Sequence, residues 1–70
     1  MDHVFQVVIE TSALRAAHVN VRAGDAAAAD TIARGYVRRH GQACGETLWV
    51  QETFSRIACE SAISAPQEAV

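Results

Sequence analysis

Along this chain the spacing of apolar residues changes from a period of two to a helical period and then returns to two. Residues 4–10 are β-branched and aromatic, with Phe5, Val7 and Ile9 on one alternating face, which predicts a strand. Residues 15–23 alternate in the same way, so we expect a second strand with one buried and one polar face. Its inward residues are Ala17, Val19, Val21 and Ala23, and its outward residues are His18, Asn20 and Arg22.

A helix is predicted from Asp25 to His40. Asp25 suits the N-cap because its carboxylate can accept the free amide hydrogens of the first turn, and Gly41 can end the helix in a left-handed conformation. Helical spacing places apolar side chains on one continuous face and charged side chains on the other. The apolar face holds Ala29, Ile32, Ala33, Tyr36, Val37 and His40, and the opposite face holds Asp30, Arg34 and Arg38.

The second half of the chain predicts a loop at residues 42–45 and a third strand at residues 46–52, with Leu48 and Val50 inward. Thr47, Trp49 and Gln51 then point outward.

Residues 56–63 fit two periods. As a strand they place Ile57, Cys59 and Ile63 on one face, and we expect this fourth strand. The alternative is a helix, which the alanine and glutamate content favours. That helix would align Phe54, Ile57, Ala58 and Ala62.

The resulting order is ββαβ(β), an α+β fold with an antiparallel sheet of three to four strands and one helix packed on one face. A right-handed crossover through the helix places the third strand beside the first. Residues 1–64 form the single predicted domain, and residues 65–70 a flexible tail. Fourteen of the 35 apolar residues are alanine, so only 21 larger side chains can build the core. Small domains with thin cores are often stabilised by oligomerisation or a partner.

The sequence also argues against a membrane-spanning or a secreted protein. No apolar run approaches the ~18 residues that would span a bilayer, so no membrane partner is expected. The segment Met1–His3 lacks the start of a signal peptide, which predicts a cytoplasmic protein. The absence of lysine beside abundant alanine and arginine suggests a GC-rich bacterial or phage gene, and hence a bacterial host cell. In that reducing compartment Cys44 and Cys59 would be thiols.

Neither a metal site nor an active site is predicted. His40 and Cys44 have an H-x3-C spacing, but with Cys59 they do not supply the two close ligand pairs of a structural zinc site. A thiolate pair of Cys44 and His40 lacks a third group to orient the base, and no glycine-rich phosphate loop is present. We therefore expect a non-enzyme without cofactor, in which Cys59 is a small core residue and Cys44 a loop thiol.

The sequence supports a binding surface better than a metal site or an active site. Arg34, Arg38 and Arg39 form a predicted basic ridge at the helix end, which suits phosphates, although a pI of about 5.8 disfavours nucleic acid. Trp49 is predicted to project from the sheet face opposite the helix, where an exposed aromatic often marks a protein interface. A bulge or the C-terminal segment could instead cover it. The predicted rim is His18, Asn20, Arg22 and Gln51, with Gln6 and Thr53. The ridge of Arg34, Arg38 and Arg39, or nearby carboxylates, is expected to extend this rim.

The order of elements also resembles that of small anti-CRISPR proteins of GC-rich bacteria. The resemblance rests on strands at Phe5–Glu10, Ala17–Ala23 and Glu46–Glu52, a helix at Asp25–His40, and the passage from strand into alanine-rich helix at Val21–Ala29. It implies an inhibitor that binds Cas subunits and blocks target-DNA recognition or nuclease recruitment, and it assigns no site residues.

We therefore expect a non-catalytic protein-binding module. The alternatives are a small nucleic-acid-binding regulatory domain that uses the helix-end arginines, and a structural homodimer joined through exposed strand edges.

Overall fold

A computed structural model describes residues 3–11 and 15–64 of the chain. The three strands form one antiparallel sheet in the order β2-β1-β3, and α1 packs on one face of it. The predicted α+β fold with the order ββαβ is confirmed. Residues 65–70, predicted as a tail, lie outside the described residues. The elements are β1 (His3–Thr11), β2 (Ala16–Ala23), α1 (Ala26–Arg39), β3 (Cys44–Glu52) and α2 (Arg56–Ser61).

The core lies between α1 and the sheet. The inward alternation predicted for the first two strands is confirmed, and Val7, Ile9 and Val21 are fully buried. Two of the three buried residues of α1, Ala29 and Ala33, are small, which lets the helix approach the sheet closely. No helix within residues 3–11 and 15–64 is long and apolar enough to span a bilayer. The core residues are Phe5, Val7, Ile9, Val19, Val21, Ala23, Ala29, Ala33 and Val37.

The predicted N-cap at Asp25 and the predicted left-handed Gly41 after the helix are both confirmed. Asp25 has an extended backbone, and its carboxylate accepts a hydrogen bond from the amide of Ala28 at 2.8 Å. At the other end Gly41 has a φ of 82°, which glycine adopts without steric cost. His40, predicted on the apolar face, is instead the exposed C-cap residue, because the helix ends one residue before it.

The fourth strand predicted at residues 56–63 is wrong, since residues 56–61 form α2. Ser55 caps this helix by accepting a hydrogen bond from the amide of Ala58 at 3.4 Å. Of residues 56–63, only Ile63 extends the sheet, through a parallel bridge to Val21 on the outer edge of β2. The outcome agrees with the helix-favouring alanine and glutamate content of this segment.

In β3 the register shifts twice against β1. Trp49 lies opposite Val8, but Thr47 lies opposite Ile9, so Leu48 is an extra residue at a β-bulge. The bulge reverses the predicted orientation of two residues: Leu48 is exposed, whereas Thr47 is half-buried and hydrogen-bonded to α1. The predicted loop at residues 42–45 is also too long, because β3 begins at Cys44.

Candidate protein-interaction surface

The sheet face opposite α1, here called the open face, carries its side chains in rows set by the strand register. In one row Trp49, Val8 and His18 lie opposite one another on β3, β1 and β2. Since the pleat returns to the same face every second residue, the next row consists of Gln51, Gln6 and Asn20. The predicted position of Trp49 on this face is confirmed. Of its predicted rim, His18, Gln6, Gln51 and Asn20 lie in these two rows, whereas Arg22 lies one row further along β2, opposite Val4.

Helix α2 covers one end of the open face. The guanidinium of Arg22 donates to the backbone carbonyl of Cys59 at 2.7 Å. The side-chain Nδ2 of Asn20 donates to the hydroxyl of Ser61 at 3.2 Å. Val4, which lies opposite Arg22 on β1, is buried. The open face is therefore not bare over its whole length, because Arg22 and Asn20 hold α2 in place.

The rest of the open face is free of α2. Trp49 and His18 are exposed at either side of the half-buried Val8. Within the ranges that the structure describes, the side chains of His18, Gln6 and Gln51 form no hydrogen bond with another protein group. The exposed part of the face thus offers one indole, one imidazole and two carboxamides for hydrogen bonding to a partner.

The large hydrophobic side chains that the described residues expose all come from one stretch, residues 48–57. The sequence pattern predicts Leu48 inward and places Phe54 only on the face of the alternative helix, so it misses the exposure of both residues. The usable signal was the helical alternative for the last segment, which already grouped Phe54 with Ile57. The exposed fractions are 55% for Leu48, 53% for Trp49, 85% for Phe54 and 78% for Ile57.

Phe54 also borders an open groove of about 580 Å³ between α2 and the covered end of the sheet. Its floor is the buried Val4, and its rim includes the hydrogen-bonded side chains of His3 and Glu52, whose Nδ1 and Oε2 atoms lie 2.7 Å apart. The groove extends the apolar surface of residues 48–57 along the start of α2.

The three arginines of the predicted basic ridge have different surroundings, so they do not form one exposed surface. Arg34 is half-buried, and its Nη1 donates to the hydroxyl of Thr47 at 2.9 Å, while that hydroxyl donates to the carboxylate of Asp30. Arg38 and Arg39 are exposed, but they lie on α1, on the other side of the sheet from Trp49. The structure therefore does not bring the three arginines together with the open face.

The cysteines and His40 have separate surroundings. The thiol of Cys44 donates to the carbonyl of Arg34 at 3.4 Å, and the ring of His40 lies 4.3 Å from that of Tyr36. Cys59 is half-buried on α2, so neither the predicted core position of Cys59 nor the predicted loop position of Cys44 is correct. Within the described ranges no three His, Cys, Asp or Glu side chains lie close enough to hold a metal ion.

Comparison with known proteins leaves this geometry as the guide to function. A scan against models of protein families finds no match, and searches of curated proteins and of solved structures return none either.

Proposed function

We propose that the protein is a non-catalytic protein-binding module whose contact surface is centred on Trp49. The observation that supports this proposal is the concentration of exposed large hydrophobic side chains in residues 48–57, next to the exposed rows of the open face. A soluble protein that groups its apolar surface in this way commonly uses it for binding.

The physical argument concerns what a partner would gain. Tryptophan is enriched among the few residues that dominate binding energy, because its large ring can be desolvated with little loss of conformational entropy. Around Trp49 the carboxamides of Gln6 and Gln51 and the imidazole of His18 can form a polar rim. An apolar centre with a hydrogen-bonding rim is the usual composition of a protein interface.

The finer form of the proposal is an anti-CRISPR-like inhibitor. It would bind Cas subunits of a bacterial effector complex in the host cytoplasm and block target-DNA recognition. Its support is the resemblance in element order described above. The chain's net charge of −2 fits a protein that approaches a nucleic-acid-binding surface on its partner.

The finer proposal is tested by adding the protein to purified CRISPR effector complexes and measuring their binding to target DNA. We expect wild-type protein to reduce DNA binding, Trp49→Ala to lose at least tenfold in potency, and Thr31→Ala on the exposed side of α1 to match wild type. If no effector is inhibited, the anti-CRISPR assignment is wrong. If Trp49→Ala inhibits as well as wild type, the placement of the surface is wrong.

A further inference from the structure

The two edges of the sheet differ in whether their outward backbone groups are hydrogen-bonded. On the outer edge of β2, Ile63 donates to the carbonyl of Asn20 at 2.8 Å and accepts from the amide of Arg22 at 2.7 Å. On the outer edge of β3, no strand pairs with residues 44–52 anywhere in residues 3–11 and 15–64. Among the residues that the structure describes, part of the β2 edge is thus covered, and the β3 edge is open.

The direction of the free backbone groups on β3 follows from the ladder. The amide of Thr53 donates to the carbonyl of Val4 at 2.8 Å, so the backbone groups of Thr53 point towards β1. Hydrogen-bonded and non-bonded pairs alternate along an antiparallel ladder. The amide and carbonyl groups of Val50 and Glu52 therefore point away from β1, towards solvent.

Beyond the bulge, residues 49–52 of this edge have one charged side chain, that of Glu52, as protection against strand pairing. Proteins commonly protect an edge strand with lysine, proline or a bulge. The chain has no lysine, β3 has no proline, and both register shifts lie before Trp49. Residues 49–52 pair regularly with β1 and leave a straight edge beside exposed apolar side chains.

We propose that β3 pairs antiparallel with β3 of a second copy of this chain, about a two-fold axis at Gln51. In this register Val50 lies opposite Glu52 of the second copy, and both residues use the backbone groups that point to solvent. Trp49 lies opposite Thr53, and Leu48 lies beside Phe54 of the second copy. The two sheets join into one, with a Trp49 from each copy on the shared open face.

Charge and the position of the bulge select this register over its neighbours. An axis at Trp49 would set Glu46 opposite Glu52 of the second copy, and like charges directly opposite are destabilising. An axis at Val50 would set Glu52 opposite Leu48, the extra residue of the bulge, where regular pairing is interrupted. With the axis at Gln51, neither carboxylate faces another charge, and the exposed apolar residues Leu48 and Phe54 meet.

The available area indicates a modest dimer. From their exposed fractions, Trp49 and Phe54 offer on the order of 500 Å² of aromatic surface over two copies. A specific interface needs about 1,000 Å² in total, to which Leu48 and the paired backbones also contribute. We therefore expect association that depends on concentration in the micromolar range or above.

The test uses sedimentation equilibrium of the wild-type chain from micromolar to millimolar concentration, which requires no other partner. A second measurement compares the oxidative crosslinking of Gln51→Cys with that of Gln6→Cys, both in a Cys44→Ser, Cys59→Ala background. At the axis the two copies of residue 51 form a non-hydrogen-bonded pair with Cα atoms about 4.5 Å apart, within disulfide range. Gln6 lies on the same face but on the central strand.

We expect the average mass to double with concentration, and Gln51→Cys to crosslink several-fold more than Gln6→Cys. A wild-type chain that stays monomeric over the whole range overturns the proposal. A chain that dimerises while Gln51→Cys crosslinks no better than Gln6→Cys overturns the β3 register. Binding to a different protein through Trp49 is measured separately, so the two proposals can fail independently.

Discussion

Trp49 lies directly opposite Val8 in the ladder between β1 and β3, on the face of the sheet that α1 does not cover. This pairing depends on the bulge at Leu48, because Thr47, two residues earlier, lies opposite Ile9 on the core side. Replacing Trp49 by alanine should therefore remove the centre of the contact surface at limited cost in stability. We expect a loss of about 1 kcal/mol in the free energy of unfolding, from the cross-strand pair, measured by urea denaturation. A loss above about 3 kcal/mol would instead place Trp49 in the core.

Thr47 should stabilise the bulged strand through its hydroxyl. The Thr47→Val variant keeps the side-chain volume but removes the bonds to Arg34 and Asp30, both of which are half-buried. Leaving such groups without their partner should lower the free energy of unfolding by about 1–2 kcal/mol in urea titrations. Thr31→Val is the matched control, because the Thr31 hydroxyl bonds only within the exposed side of α1. Equal effects of the two variants would contradict a role for the hydroxyl of Thr47.

The N-cap of α1 should contribute measurably to a domain with so thin a core. Asp25→Ala removes the acceptor for the amide of Ala28 and should lower the free energy of unfolding by about 1 kcal/mol. For a chain of this size, that loss corresponds to a fall in Tm of about 4–8 °C, measured by circular dichroism. Asp25→Ser, which can still accept the bond, should recover most of the loss. If serine and alanine give the same Tm, capping is not the cause.

Two glycines should respond to alanine with opposite signs. A Cβ at Gly35 would meet only the guanidinium of Arg39 at 3.5 Å, so Gly35→Ala should stabilise α1 by about 0.5–1 kcal/mol. Gly41 has a positive φ, so Gly41→Ala should destabilise by about 1–2 kcal/mol. Both are measured by thermal denaturation. Gly24→Ala, at an open position without positive φ, should change the free energy of unfolding by an amount between those two values. Any other order of the three free energies of unfolding would contradict the described ends of α1.

The elements with long, regular patterns could be predicted from sequence. β1 and β2 alternate without interruption, and α1 has both a capping Asp25 and a terminating Gly41, so local preference and core burial agree. The order of the strands followed from the crossover through the helix. Because side chains alternate along each strand, the positions of Val8, Trp49 and His18 on one face were also predictable.

The rest depended on contacts between distant parts of the chain. The bulge at Leu48 leaves no mark in an alternating sequence, because it is stabilised by bonds between Thr47 and residues of α1. Helix α2 has six residues, too few for periodicity to separate a helix from a strand. The exposure of Phe54 follows from these two features, since it lies between the end of β3 and the start of α2.

The most direct test of the Trp49 surface uses the fluorescence of this residue, the only tryptophan of the chain. The protein is labelled with 5-hydroxytryptophan, which can be excited without exciting the tryptophans of a partner. Acrylamide quenching is then measured for the free protein at a concentration where it is monomeric, and again in the complex purified with its tagged form. We expect strong quenching in the free protein, because the indole is exposed, and a several-fold reduction in the complex. Equal quenching in both states, or a shielded indole in the free protein, would contradict the assignment of Trp49 as the centre of the contact surface.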